Sequence, residues 1–365
     1  MIKWVNCFAS KGYEVHIITY QYSSQYKSGF HPSVKFHCLF YTSGKERSIL
    51  RSFIRVFWRF FHVVHTVILL KRIKPDIVNA HYITGYGDLG AFSGFHPFIL
   101  NTCGSDVLID PKKSKIRKIN TKFTLNRADL IIVDSDLLKR EIIPYGIKED
   151  KIKKIFNGID IEKFSRKDQF LELKKRLLID DTSTVILNTR GLRPVYNVEM
   201  FIKAIPLILQ KRENVIFIIL NKGELMESLK NLASTLGVKD SIRFIGGNIN
   251  NDQMPQFYSI SDIYVSTSLS DSTSLSLQEA MACEVVPIVT DIPANREWIT
   301  NGNNGFIIKI NDVEDLSNKI ITLIDNENLR KQFNKINRQL VVKNANYYVE
   351  MEKVEKIYKF FSRFN

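Results

Sequence analysis

The feature that most limits the fold is an alternation, kept up twice over, of short apolar runs with amphipathic stretches of helical period. Val15–Tyr20, Asp76–Ala80, Phe98–Thr102 and Leu130–Asp134 read as buried strands in the first half. Thr184–Thr189, Val215–Leu220, Ile242–Gly246, Ile263–Ser266 and Val286–Thr290 do so in the second. Helical patterns separate them, as at Val198–Gln210, Leu225–Leu236 and Val313–Asp325, and Tyr347–Phe361 reads as a last helix. Strands that are apolar throughout are covered on both faces, as in parallel sheets whose crossovers are helices. The predicted fold class is therefore α/β, with two Rossmann-like domains. A glycine turn at Asn157–Gly158–Ile159–Asp160 marks their boundary. This predicts an N-terminal domain over 1–157, a C-terminal domain over 158–345, and a helix over 346–365 packing back on the first domain.

The start of the chain breaks this pattern. A doubly wound domain opens with a strand, then a glycine-rich turn, then a helix. Here Ile2–Ser10 already reads as the helix, closed by Lys11–Gly12, and the first domain lacks its first strand. The expectation is a short apolar strand and a glycine turn upstream of residue 1, and an edge beside Val15–Tyr20 that promotes association.

Charge is as uneven as the pattern is regular. Residues 1–165 hold 26 basic and 14 acidic side chains, whereas 166–365 hold 26 and 24, so nearly all of the net +14 lies in the first half. One domain is thus expected to meet an anionic partner: nucleic acid, an anionic membrane surface or a phosphorylated substrate. Four cysteines (Cys7, Cys38, Cys103, Cys283) without CxxC spacing make neither a zinc site nor a disulfide framework, and point to a reducing compartment. No apolar run reaches the roughly 20 residues of a spanning helix.

The residues that can carry chemistry cluster after strands. Behind Ile263–Ser266 comes Ser268–Cys283, a hydroxyl-rich turn running into a helix. Ser272, Thr273 and Ser274 can cap that helix, and the amides from Leu275 onward are unpaired donors suited to a diphosphate. Asp271 and Glu279 flank this spot and can hold hydroxyls at either end of a nucleotide sugar; an N-capped helix with one buried glutamate fits the same residues. Arg190 and Arg193 follow the first strand of the second domain, where they either neutralise phosphates or sit in solvent. In the first domain His81 and Asp106 end successive strands and point to one crevice. His81 suits acid/base work, a hydrogen bond to a substrate hydroxyl, or a structural place; Asp106 suits a sugar hydroxyl or a turn cap. Asp134–Ser135–Asp136 spells a metal-holding carboxylate pair but also a helix N-cap, and we expect no metal there. Arg47, Arg51, Arg55 and Arg59 recur every four residues beside Phe53, Phe57, Trp58, Phe60 and Phe61. That stripe fits either an interfacial helix facing an anionic membrane or a core helix with a solvated arginine face.

Together these segments resemble a family 4 glycosyltransferase, a retaining enzyme of the glycosyltransferase-B fold, of the bacterial surface-polysaccharide type. Asp271–Pro287 resembles that family's Glu-x7-Glu segment with its Ala-Met-Ala-Cys-Gly-x-Pro continuation, and Asn157–Phe164 resembles its entry into the second domain. Arg190 matches the arginine that contacts the donor diphosphate. The chain departs where Asp271 replaces the first glutamate, Glu284 a glycine, Tyr196 a phosphate-binding lysine and Cys103 a histidine of the first domain. The resemblance implies two domains facing a central cleft and a UDP- or GDP-linked sugar as co-substrate, with no cofactor and no metal. It gives Glu279 the ribose, Arg190, Arg193 and residues 272–275 the diphosphate, and Asp271 the hexose. It implies a glycan or lipid-linked acceptor, no nucleic acid, and a cytoplasmic protein peripheral at the inner face of the cell membrane, making capsule or lipopolysaccharide. The alternatives are a sugar-nucleotide epimerase of the same fold and a non-catalytic glycosyltransferase-like partner.

Overall fold

A computed structural model describes residues 1–20, 27–39, 50–167, 170–247 and 249–362, with the backbone alone over 50–57. The chain divides into two compact units, residues 1–155 with 351–365, and residues 156–350. The helix Tyr347–Phe361 thus begins in unit 2 and joins unit 1 from Met351 on.

Unit 2 is built on β7 (Thr184–Asn188), β8 (Val215–Ile219), β9 (Ile242–Phe244), β10 (Ile263–Ser266), β11 (Val286–Thr290) and β12 (Phe306–Ile308), numbered after the six strands of unit 1 described below. They form one sheet in the order β12-β11-β10-β7-β8-β9, and every pairing is parallel. Successive strand residues point to opposite faces, and both faces are filled. Ile186, Phe217 and Ile288 enter one apolar cluster, and Val185, Leu187, Ile218, Tyr264 and Val289 enter the other. That double burial is why these strands show no polar alternation. The chain runs outward from β7 to β9, then returns to lay β10 on the other side of β7. This reversal is a topological switch point, and ligands of open α/β sheets bind outside the strand ends there.

Unit 1 has β1 (His16–Thr19), β2 (Lys35–Cys38), β3 (Val78–His81), β4 (Phe98–Asn101), β5 (Leu130–Val133) and β6 (Ile152–Lys154). Its parallel ladder comes in two pieces, β1-β2 and β3-β4-β5-β6. As the sequence implies, the chain opens on a helix, α1 (Ile2–Ser10), and the break in the sheet falls between β1 and β3. Side chains span the break where backbone does not. The Trp4 ring meets His81 edge-on at 5.3 Å, and the Thr19 hydroxyl lies 3.4 Å from that of Tyr86. Some strands escape the run-based reading or move within it. Lys35–Cys38 alternates around polar residues, β6 and β12 are three residues long, and β3 starts two residues later than Asp76.

The helices that matter below are α2 (Leu50–Ile73), α3 (Asp88–Ser93), α4 (Lys115–Arg127) and α5 (Asp136–Ile142) in unit 1, with α6 (Met254–Ser259) and α7 (Leu275–Ala282) in unit 2. Asp88 ties three of them together. Its buried carboxylate accepts from Arg59 of α2, from Asn120 (2.5 Å) and Thr124 (3.0 Å) of α4, and from the Gly85 amide (2.9 Å).

Candidate functional site

The switch point of unit 2 places the ends of β7 and β10 side by side, so the loops after them share one space. Asn188, last residue of β7, donates to the Val265 carbonyl of β10 (3.1 Å) and accepts from the Arg190 amide (3.0 Å). One asparagine therefore locks the strands together and turns the chain toward Arg190. Gly223 closes the third side. A Cβ there would lie 2.2 Å from the Leu192 carbonyl oxygen, so only glycine lets the turn after β8 approach the Arg190 loop.

Arg190 is nine-tenths buried and almost fully engaged. Its Nη1 donates to Ser274 (2.8 Å) and Ser276 (3.0 Å), and its Nη2 pairs with Asp271 at 2.7 Å. The Tyr196 ring lies 4.3 Å beneath the guanidinium, a cation–π contact. Burial opposes the charge, but Asp271 and the surrounding tyrosines outweigh it and raise the arginine's pKa above its ordinary value. Nε has no protein acceptor, a buried donor left over for a ligand. Asp271 in turn accepts from the Ser272 amide at 3.0 Å.

α7 starts beside the guanidinium. Ser274 caps it, accepting from the Leu277 amide at 3.3 Å, and the other first-turn amides have no partner within the helix. One turn in, Glu279 is buried, and the Tyr258 hydroxyl of α6 donates to its Oε2 at 3.0 Å. Burial, then the charge of Glu279, pushes the Tyr258 phenol well above its usual pKa, so it stays a donor. A cavity of about 450 Å³ is lined by Thr189, Arg190, Asn221, Thr273, Ser276 and Glu279 among others. Such a volume accommodates a small organic ligand.

The structure therefore brings together Arg190, Asp271, Ser272, Thr273, Ser274, Leu275 and Glu279. Arg193 is exposed and does not line this cavity. Sequence reasoning missed Tyr258, Ser276, Asn221 and the aromatic seat that Tyr196 offers. A tyrosine inside a short buried helix carries no signal apart from its packing, whereas Ser276 sits two residues past the cap and was open to notice.

The unit 1 candidates have structural partners. His81 packs against Trp4, and burial with the nearby amino terminus pulls its imidazole down to about 3, so it is neutral near pH 7. Asp106 accepts from the Ile83 and Cys103 amides, both at 2.9 Å, and holds their two loops; burial raises its pKa against those bonds. Ser135 caps α5, and Asp136 pairs with Lys154 at 2.6 Å. Among the described residues no cluster of three His, Cys, Asp or Glu has metal-holding geometry. In the arginine stripe, Arg47 lies outside the described residues, Arg51 and Arg55 fall where the backbone alone is described, and Arg59 is bound to Asp88.

Two parallel-sheet units, one with a buried arginine and a helix N-terminus at its switch point, have the architecture of the glycosyltransferase-B fold. Sequence comparison agrees: the profile of glycosyl transferases group 1 matches residues 169–340, and that of glycosyl transferase 4-like proteins matches residues 1–135. The chain belongs to this family of glycosyltransferases, whose curated homologues here work in polysaccharide and lipid-linked glycan synthesis. It is 27% identical over 303 residues to an Escherichia coli UDP-Gal:alpha-D-GlcNAc-diphosphoundecaprenol alpha-1,3-galactosyltransferase, covering 80% of this chain and 76% of that one. It is 25% identical to the Staphylococcus aureus capsular polysaccharide biosynthesis glycosyltransferase CapM, covering 81% and 79%. Among solved structures, Anabaena HepE in complex with UDP superposes with a TM-score of 0.80 at 17% identity, over 97% of this chain and 95% of that one.

Proposed function

We propose that the protein moves a hexose or related sugar from a UDP- or GDP-linked donor to a glycan or lipid-linked acceptor, with retention of configuration and without a metal. The observation that carries this reading is the pairing, in one cavity, of a buried arginine with a spare N–H and a glutamate fixed by a buried tyrosine. Glu279 takes the ribose hydroxyls. Arg190 and the amides opening α7 take the diphosphate, with the helix dipole adding to the field. Stabilising the departing diphosphate is then the main catalytic term. Two positive sources, a guanidinium and a helix N-terminus, supply the charge that a divalent cation supplies elsewhere. Asp271 changes partner in this scheme: the diphosphate displaces it from Arg190, and its carboxylate turns to the hexose. The transfer is then a front-face one, with the departing diphosphate on the same side as the incoming acceptor.

Unit 1, with most of the positive charge, takes the acceptor at an anionic membrane surface on the cytoplasmic side. The acceptor of the Escherichia coli relative, a diphosphoundecaprenol-linked sugar, supports this, as does a 25% identical stretch of 162 residues in the Streptococcus pneumoniae alpha-monoglucosyldiacylglycerol synthase. Among the described residues no helix is long and apolar enough to cross a membrane. His81, neutral near pH 7, contributes at most a hydrogen bond there, and Asp106 shapes the loops. The test is release of nucleoside diphosphate from a panel of UDP- and GDP-hexoses by the purified protein, with Glu279→Ala beside it. Turnover that falls in the variant supports the assignment; absence of turnover and of binding with every donor overturns it.

A further inference from the structure

α4 wears its apolar stripe on the outside. Thr121, Thr124 and Leu125 face inward and are buried, the two threonines filling positions where a core helix carries aliphatic residues. Ile116 and Ile119 are 80% and 68% exposed, and Phe123, on the same stripe, is 37% exposed. Residues spaced i, i+3 and i+7 share one face, so these three side chains form a ridge. Phe92 of α3, itself 47% exposed, extends it by stacking on Phe123 with ring centroids 4.7 Å apart. The ridge is not a frayed end. Ser114 caps α4, accepting from the Arg117 amide, and buried Asp88 binds Asn120 and Thr124 from beneath. α4 contains Lys115, Arg117, Lys118, Lys122 and Arg127 and no acidic residue; Arg117 turns to buried Asp110 (3.1 Å), and the lysines flank the ridge.

We infer that this ridge is the surface by which the protein lies on an anionic lipid bilayer, with Ile116 and Ile119 entering the headgroup–acyl boundary and the flanking lysines on lipid phosphates. The charge pattern selects the occupant. Protruding aliphatic tips flanked by exposed lysines match a fluid anionic interface, which buries the tips and neutralises the flanking charges together. A protein partner would instead have to supply a deep apolar groove lined with acid. The inference rests on the proposed lipid-linked acceptor and moves the contact from the arginine stripe of α2, whose Arg59 is bound to Asp88, to α4.

Co-sedimentation with vesicles of phosphatidylglycerol and phosphatidylcholine, against phosphatidylcholine alone, tests it. Wild type is expected to bind the anionic vesicles, with binding that weakens as salt rises. Ile116→Glu with Ile119→Glu should lower the partition at least tenfold, and Lys118→Gln with Lys122→Gln severalfold. All four side chains are exposed, so circular dichroism and nucleotide binding by unit 2 should not change. Unaltered partition of the isoleucine variant, or no binding by wild type to anionic vesicles at low salt, overturns the inference. So does wild-type self-association that the isoleucine variant abolishes, since a second copy then covers the ridge. Nucleotide titrations on the same samples separate the two readings: vesicle binding without nucleotide binding refutes the proposed reaction and leaves the ridge standing.

Discussion

Unit 2 and unit 1 each have six described strands, all in parallel pairs, yet unit 2 keeps them in one sheet and unit 1 splits them two and four. The continuous sheet makes a switch point, and there Arg190, Asp271 and Glu279 converge. In unit 1 the ladder stops between β1 and β3, and the residues at the break, Trp4 and His81, pack on each other. Polar chemistry thus concentrates where two adjacent strands leave in opposite directions along the chain. Where the ladder is interrupted, aromatic packing fills the gap and removes a histidine from proton transfer.

The difference can be broken at its supports. The largest effect is expected in unit 1 from Asp88→Ala. It strands donors on α2, α4 and the Gly85 turn and should cost on the order of 3 kcal/mol of stability in urea unfolding. Nucleotide affinity, a property of unit 2, should survive. In unit 2, Arg190→Gln should weaken binding of a nucleoside diphosphate by about 2–3 kcal/mol in calorimetry, the worth of a charged hydrogen bond. Asp271→Asn should act in the opposite direction. With no carboxylate competing for the guanidinium, the bare diphosphate should bind about 1–2 kcal/mol more tightly while sugar transfer falls. The smallest change is expected from Tyr258→Phe, about 1 kcal/mol, seen as a raised KM for donor with kcat nearly unchanged. A drop in kcat alone would mean that Glu279 does not need its tyrosine to hold the ribose.

How much of this was legible in the sequence follows the range of the interactions. Glu279 lies a little over one helix turn past the capping Ser274, so spacing alone brings them to one region. Arg190 stands out because it follows a strand at a domain's start. That Arg190 is bound to Asp271 is a contact across 81 residues and depends on β10 returning beside β7, which no local pattern encodes. Tyr258 needs the same long-range packing. For α4 the pattern misleads: Ile116, Ile119 and Phe123 have the period of a buried face, while the face that is buried carries threonines. The arginines of α2 mislead in a similar way, since nothing near Arg59 in sequence foretells Asp88.

The most direct test of the central claim is a crystal structure of the full chain with a bound nucleoside diphosphate. The account predicts phosphate oxygens about 3 Å from the Arg190 guanidinium and from the first amides of α7. It also predicts ribose hydroxyls on Glu279 and the Asp271 carboxylate released from Arg190. A nucleotide bound elsewhere, or bound in this cavity with the Arg190–Asp271 pair intact and no phosphate on α7, would contradict it.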